Sequence, residues 1–567
     1  MHALFVLLSL CSLSHSFAVR QAAPQHGLCR FSPNSTQDEI MRDPTRFEDN
    51  IFYWDAQFHT DGIGYHSSTG LVISHTALGY QTGLPSTLSP EYTRGNPRHE
   101  AWHIMLLTLA LNGTDHASTF VYPVNPTDAG EIAASILTTK LNTYIAFNQS
   151  FPGYGGFLPG LEVNSAIARP SYDWRNKVSA ADNGRLLWAV YALIHVLQAS
   201  DRSEFQQLGG NWMQWFLYAR RNAKTVFMQG QHAGEVCAIS TLQEDLSPSA
   251  SGQRYACEDP TCLNNDPYEG ELMSWFLYFS STLNKSEADL LWDAKRPQLL
   301  AANYTGSIVD TSRHQYGSVN YEGNSIFGRH ITPITVQRGL YFGSNEQLKL
   351  LFLPYLDVPV IYRVFKNGER VRTCNSMLMG VPGMYASALN GTSSTSGIRA
   401  SNATLEYDAI KNAGIPSVAV FKEQELDVVT PYSVAPTILF DKSNGLAWYK
   451  NMLDGKQMQT VYGSTAATRL DGSAVARFVT WETKAPTLLA LLGGIVDIVR
   501  DGMKTDKIYD EFYQRIESEY RNVFDDESGM AKPGATSILG ENVAFCLPNA
   551  QMPMSSLIDF SSCDSTP

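Results

Sequence analysis

Leu186-Leu-Trp-Ala-Val-Tyr-Ala-Leu-Ile-His-Val-Leu197 is apolar on nearly every face at helical period, with Leu186, Val190, Leu193 and Leu197 marking one stripe. A helix of this kind offers no face to water and must lie between other elements, so it defines an inner layer. Trp102, Met105, Leu106 and Leu109 mark a second helix at i, i+3, i+4 and i+7. Working outward, the same period predicts helices over residues 131–148, 203–222, 271–283, 286–299, 345–353, 404–412, 485–500 and 505–524. Ser203 with Gln206 reads as a capping box, and Gly502 as the stop after 485–500. Between the helices run long Gly-, Ser-, Tyr- and Pro-rich stretches at 149–183, 223–268, 303–332, 388–402 and 454–474. Loops of that length inside a compact chain are usually functional. Mid-length helices joined by alternating short and long loops predict an all-α dominated fold, an (α/α)6 barrel or helical toroid with long rim loops. No linker and no repeat of fixed period is visible, so residues 19–567 read as one domain with an N-terminal extension.

The first residues read as a secretory signal. An apolar run from Ala3 to Leu13 precedes Ser16-Phe17-Ala18, which places small residues at the positions of a cleavage site after Ala18. Asn34, Asn112, Asn148, Asn284, Asn303, Asn390 and Asn402 each begin an N-x-Ser/Thr sequon, which agrees with export. Without Cys11, the mature chain keeps Cys29, Cys237, Cys257, Cys262, Cys374, Cys546 and Cys563, an odd set that leaves at least one thiol unbridged. A net charge of −13 argues against nucleic-acid binding, which depends on basic side chains neutralising phosphates. The best later apolar run, Leu488–Val499, contains Gly493, Gly494 and Asp497 and suits a buried helix better than a membrane span. A secreted, N-glycosylated protein free in the medium is expected, as a monomer or weak oligomer.

His99-Glu100-x-x-His103 matches the zinc-hydrolase pattern, in which two His one turn apart hold the metal and the Glu activates water. The context disagrees. Pro97 puts His99 in the first turn of its helix, Leu106 occupies the position where a glycine would continue the longer motif, and Glu131 is a poor third ligand. These residues therefore read as a helix start rather than a metal centre, and no metal or cofactor is expected.

The stronger signal is a set of acids among aromatics. Asp266-Pro-Tyr-Glu-Gly-Glu271 leads directly into Leu272-Met-Ser-Trp-Phe-Leu-Tyr278, placing Glu269 and Glu271 at the mouth of an apolar helix. There the helix dipole favours an anion while apolar neighbours favour the neutral acid, the poised state that a glycosidase acid needs. An ordinary N-terminal cap accounts for the same residues equally well. A second cluster, Tyr321, Glu322, Arg329 and His330, offers directional hydrogen bonds and stacking faces suited to a ligand with many hydroxyls. Tyr154, Tyr172-Asp-Trp174-Arg and Asp182-Asn-Gly-Arg185 are further sugar-surface candidates.

Phe151-Pro-Gly-Tyr-Gly-Gly-Phe157, Ala181-Asp-Asn-Gly-Arg185, Asp266-Pro-Tyr-Glu-Gly-Glu-Leu-Met273, Tyr321-Glu-Gly-Asn-Ser-Ile-Phe-Gly-Arg-His330, Cys374-Asn-Ser-Met-Leu-Met379 and the Asp454-Gly-Lys loop occur in one order. Taken together, they resemble fungal endo-β-1,2-glucanases of glycoside hydrolase family 162, over roughly residues 30 to 550. The resemblance implies an (α/α)6 fold and metal-free, inverting hydrolysis of linear β-1,2-glucan to sophoro-oligosaccharides. It also implies an acid acting through a substrate hydroxyl and a base reached through a short water relay. Carried onto this chain, the acid falls on Glu271, with Glu269 its rival, and the base on Asp454, with Asp441 and Asp471 as alternatives. Tyr321, Glu322 and Arg329 would position glucose units, joined in substrate binding by Glu269, His330, Tyr154, Trp174 and Asp182. Two other classes stay open: a secreted zinc metallopeptidase using His99, Glu100 and His103, and a non-catalytic β-glucan-binding relative.

Overall fold

A computed structural model describes residues 27–86, 94–162, 168–243, 245–309, 331–389, 410–524 and 543–563. The signal segment, Tyr321, Glu322, Arg329 and His330, and the sequons at Asn390 and Asn402 lie outside them. Helices dominate: α1 (Gln37–Arg42), α2 (Thr45–Ala56), α3 (Pro97–Leu111), α4 (Asp115–Val121), α5 (Ala129–Ser150), α6 (Ala180–Ala199), α7 (Ser203–Phe227) and α8 (Gly270–Tyr278). They continue with α9 (Lys285–Ala301), α10 (Pro359–Leu378), α11 (Ala435–Phe440), α12 (Lys442–Leu453), α13 (Trp481–Leu491), α14 (Val496–Thr505) and α15 (Tyr509–Phe524).

The doubly apolar helix is α6, and it lies in an inner ring as its pattern requires. It packs on α3 and α8, α3 packs on α13, and α13 packs on α11. The 3-10 segment Asn345–Leu351 touches α11 and α13, and Lys349 joins it to α8 through Glu271, completing a closed helical toroid. Around the ring, α5 packs on α3, α7 on α6, α9 on α8 and α12 on α11. Trp102, Trp275 and Trp481 on the ring and Trp212, Trp292 and Trp448 on the outer layer are fully buried between the two layers. The predicted loops are not structureless. Their described parts include short antiparallel pairings at the rim, such as Arg94–Gly95 with Leu161–Glu162 and the latter with Arg169–Pro170.

Several expected elements are corrected. The helix expected over 485–500 is two, because Gly493 and Gly494 turn the chain at φ +79° and +69°, which only glycine adopts easily. The helix expected over 345–353 is a 3-10 segment, Asn345–Leu351, and Ile410–Asn412, expected at a helix end, is a strand paired with Ser387–Leu389. Ser203 and Gln206 make no capping box: Arg202 is the cap residue, and the Gln206 amide donates to the Ser200 carbonyl at 2.8 Å. Helices α10, α11 and α12 went unread, since their faces carry buried polar side chains such as Asn367, Arg372 and Asn444.

Disulfides Cys29–Cys563, Cys237–Cys257 and Cys374–Cys546 are formed, leaving Cys262 exposed and unbridged. The Cys29–Cys563 and Cys374–Cys546 bonds hold the segment 543–563, which follows α12: the Trp448 indole donates to the Cys546 carbonyl at 2.8 Å. Among the described residues, no helix is long and apolar enough to cross a membrane.

Beneath the ring, His59 Nδ1 donates to the Val121 carbonyl (3.0 Å), so its Nε2 accepts from His103 Nε2 at 2.9 Å. Burial pushes the His59 imidazole down to about 4 and His75 to about 3, and it holds His103 well below 6.5. In the unfolded chain these histidines take up protons near 6.5, whereas the fold refuses them. Stability is therefore fully present above about pH 6.5 and is lost as pH falls toward 4. Melting curves between pH 7 and 5 should show a net fall in transition temperature, the three histidines outweighing the buried Glu346 carboxyl, which burial raises to about 7 and which works in the opposite sense. A flat profile over that window would contradict the buried neutral histidines.

Candidate active site

The helices of the ring start on one side, around a cavity of about 450 Å³. Three of those starts carry side-chain caps that also line the cavity. The Asn96 side chain accepts from the His99 N–H (2.9 Å), Ser179 from Asp182 (3.3 Å) and Thr480 from Thr483 (3.0 Å). Because helix N-termini present unpaired N–H groups and a positive dipole end, this face favours anions. Among the described residues, four carboxylates line it: Asp173, Asp182, Glu269 and Glu482.

The sequence Ala181-Asp-Asn-Gly-Arg185 builds one wall. Asp182 accepts from Arg98 Nε at 3.1 Å. Asn183 pairs with both the N–H and the carbonyl of Leu158, each at 2.9 Å, fixing the loop that carries Pro159 and Gly160 into the cavity. Gly184 faces the backbone of Met273, where a Cβ would approach its nitrogen to 2.7 Å, so only glycine lets α6 and α8 come this close. That approach brings the buried Arg185 into an ion pair with Glu269 at the head of α8, its guanidinium 5.3 Å from the Trp102 ring.

Glu482, at the head of α13, joins the opposite wall. It receives the Trp102 indole N–H at 3.3 Å and lies 3.5 Å from Arg98 and 3.6 Å from His99. Burial works to raise its carboxyl, but Arg98, His99 and Arg185 overcome it and hold Glu482 ionised, well below the usual carboxylate range. Burial, with Arg98 alongside, lowers Arg185 to about 9 against the pull of Glu482 and Asp182. Tyr432, Asn345 and Trp174 add an aromatic and amide lining.

Several expected site residues stand elsewhere. Glu271 does not reach the cavity. Two residues along a helix turn about 200°, so it points away from Glu269 and into the ring wall. There it is fully buried and accepts from Lys349 Nζ at 2.7 Å, while Lys349 also donates to the Pro267 carbonyl (2.7 Å) and the Tyr520 hydroxyl (2.9 Å). Asp454 caps the end of α12 and is held by Lys450 and Ser32, outside the cavity lining. Asp441 caps the start of α12 through the Asn444 N–H (3.0 Å), and Asp471 holds an exposed turn through the Ser473 N–H (2.9 Å). Tyr154 is buried, its hydroxyl donating to the carbonyls of Trp174 (3.1 Å) and Arg175, so it supports the rim instead of facing a ligand.

Glu269, Trp174 and Asp182 do line the cavity. The His99-Glu100-x-x-His103 side chains diverge. His99 faces the cavity, Glu100 is buried with Lys140 and Tyr144, and His103 pairs with His59. Among the described residues, no group of three or more His, Cys, Asp or Glu side chains converges in metal-binding geometry. Sequence reading missed Arg98, Glu482 and Tyr432. The signal for Glu482 was Thr480-Trp-Glu-Thr483, a capped start to an apolar helix that was placed a turn too late.

Glu271→Ala should leave Lys349 charged and unpaired in the wall and cost about 3–5 kcal/mol of stability. Denaturant unfolding reads this directly, and an unchanged midpoint would contradict a structural role for Glu271.

A comparison with curated proteins finds no match. The sequence profile of the family described as endo-β-1,2-glucanase SGL, glycoside hydrolase family 162, matches residues 74–564. Among solved structures, the chain is similar to the endo-β-1,2-glucanase of Talaromyces funiculosus in complex with sophorose. Identity is 39%, the TM-score is 0.83, and the match covers 95% of this chain and 100% of that one. A Glu-to-Gln mutant of that enzyme with β-1,2-glucan matches equally, at 39% identity and a TM-score of 0.83 over 94% and 99% of the two chains. An endo-β-1,2-glucanase from Chitinophaga pinensis shares the fold alone, at 10% identity and a TM-score of 0.53 over 83% and 98%. A profile spanning most of the chain and a relative this similar over its whole length place the protein in the endo-β-1,2-glucanase SGL family, glycoside hydrolase family 162.

Proposed function

We propose that this chain hydrolyses linear β-1,2-glucan at internal bonds, releasing sophoro-oligosaccharides, with Glu269 as the acid. The observation that carries the proposal is the position of Glu269. It is the glutamate of the Tyr268-Glu-Gly-Glu271 stretch that opens on the cavity, in a fold 39% identical to enzymes solved with sophorose and with β-1,2-glucan. Glu269 takes up a proton in place of its pairing with Arg185, and that proton passes through a substrate hydroxyl to the leaving oxygen as the C1–O2 bond breaks. A water attacks C1 from the opposite face and gives up its proton, through a second water, to a cavity carboxylate. Asp182 and Glu482 share the cavity with Glu269 and are the candidate acceptors. Attack from the far side inverts the anomeric centre. The disulfides and the apolar leader support export, with cleavage after Ala18 and residues 19–567 acting as one catalytic unit.

Incubated with linear β-1,2-glucan, the mature protein should give a ladder of short oligosaccharides on thin-layer chromatography, unchanged by EDTA. Proton NMR of fresh product should show the α-anomer first. Glu269→Gln, which leaves buried Arg185 without its ion-pair partner, should lower kcat at least about 100-fold in a protein that circular dichroism shows to be folded at the assay temperature. Full activity in that variant would remove Glu269 from the chemistry, and glucan binding without product release would identify a non-catalytic relative.

A further inference from the structure

Tyr172 stands on the rim of the cavity with its ring in water. It is 84% exposed, whereas the next most exposed aromatics among the described residues are Phe421 at 47% and Tyr362 at 37%. Single exposed apolar residues are ordinary on a protein surface. This one differs in its setting, because Ser171, Asp173 and Trp174 on either side of it all line the cavity.

The turn that carries Tyr172 is anchored at each end. The Ser171 N–H donates to the Gly160 carbonyl at 2.8 Å, and the Trp174 N–H closes the turn onto the Ser171 carbonyl at 3.0 Å. Asp173 pairs with Arg94 at 2.9 Å, tying the turn to the strand Arg94–Gly95, and Tyr154 holds the carbonyls of Trp174 and Arg175 from below. A bare aromatic face is therefore held in place beside a half-exposed Arg94–Asp173 pair. A glucose ring needs this combination: an apolar C–H face to lie on the aromatic and hydroxyls to meet an anion and a cation.

We propose that Tyr172, with Asp173 and Arg94, forms an outer subsite that holds a glucose unit of the glucan beyond the cavity. The subsite rests on the glucanase reading above, and it favours chains long enough to span from Glu269 to the rim. An internally cleaved polymer overruns a cavity of about 450 Å³ at one end or both, and this rim is where a fixed surface waits for it. Its contribution appears in KM for long chains, since the contact is equally present in ground and transition states.

The test is kcat and KM for the wild type, Tyr172→Ala, Tyr172→Phe and Tyr172→Trp on long β-1,2-glucan and on the shortest sophoro-oligosaccharide that the wild type cleaves. In Tyr172→Ala, the ratio of kcat/KM on the long chain to that on the short one should fall about three- to tenfold, through KM. Phe and Trp, which keep the aromatic face, should restore it. An unchanged ratio in Tyr172→Ala, with a wild type that cleaves the glucan, overturns the subsite and leaves the glucanase reading standing. A wild type that cleaves no β-1,2-glucan overturns both.

Discussion

The ammonium of Lys349 and the carboxylate of Glu271, 2.7 Å apart and sealed from water, hold the ring shut where it is weakest. Elsewhere the ring closes by apolar packing between regular helices. Here it must join α8, nine residues long, to a 3-10 segment whose side chains eclipse and pack poorly. A charge pair in an apolar wall is expensive unless every remaining lone pair and proton is met. The remaining protons of Lys349 are met by the Pro267 carbonyl and the Tyr520 hydroxyl, with the Tyr355 ring 4.4 Å away. The pair thus fixes where α8 begins.

Fixing the start of α8 fixes the cavity. Glu269 stands at the first turn, one face round from Glu271, and is taken up by Arg185 from α6. Arg185 in turn sits among Arg98, Asp182 and Glu482, so the walls built from α3, α6, α8 and α13 share one charge network. Burial alone would neutralise such groups. Mutual pairing keeps Glu482 ionised, while helix N-termini on the same side add a field of the same sense.

How far the fold could be read from the sequence depended on whether burial left a period. The apolar stripe of α6 and the run of α3 identified the inner layer because helices packed on all sides carry few polar residues. Helices α10 to α12 lacked that signature, since they bury polar side chains that find partners only in three dimensions, such as Arg372 on Glu369. The acidic stretch 266–271 stood out in the sequence, but spacing could not tell which carboxylate faced the cavity. That choice is made by Lys349, 78 residues away in sequence. Asp454 came to the site through the family resemblance of the Asp454-Gly-Lys loop, yet it pairs with Lys450 and Ser32. His99 belongs to the cavity for a reason unrelated to its zinc-like motif: it opens α3 at the capped end.

The most direct test of the central claim, that chemistry occurs among the helix starts and not behind the α8 wall, is a crystal structure of Glu269→Gln with a β-1,2-linked glucose oligosaccharide. The account predicts sugar units in the cavity, one glycosidic oxygen or neighbouring hydroxyl within hydrogen-bond reach of the residue 269 side chain, and Glu271 still paired with Lys349. Sugar bound along α12 beside Asp454, with the cavity empty, would contradict it.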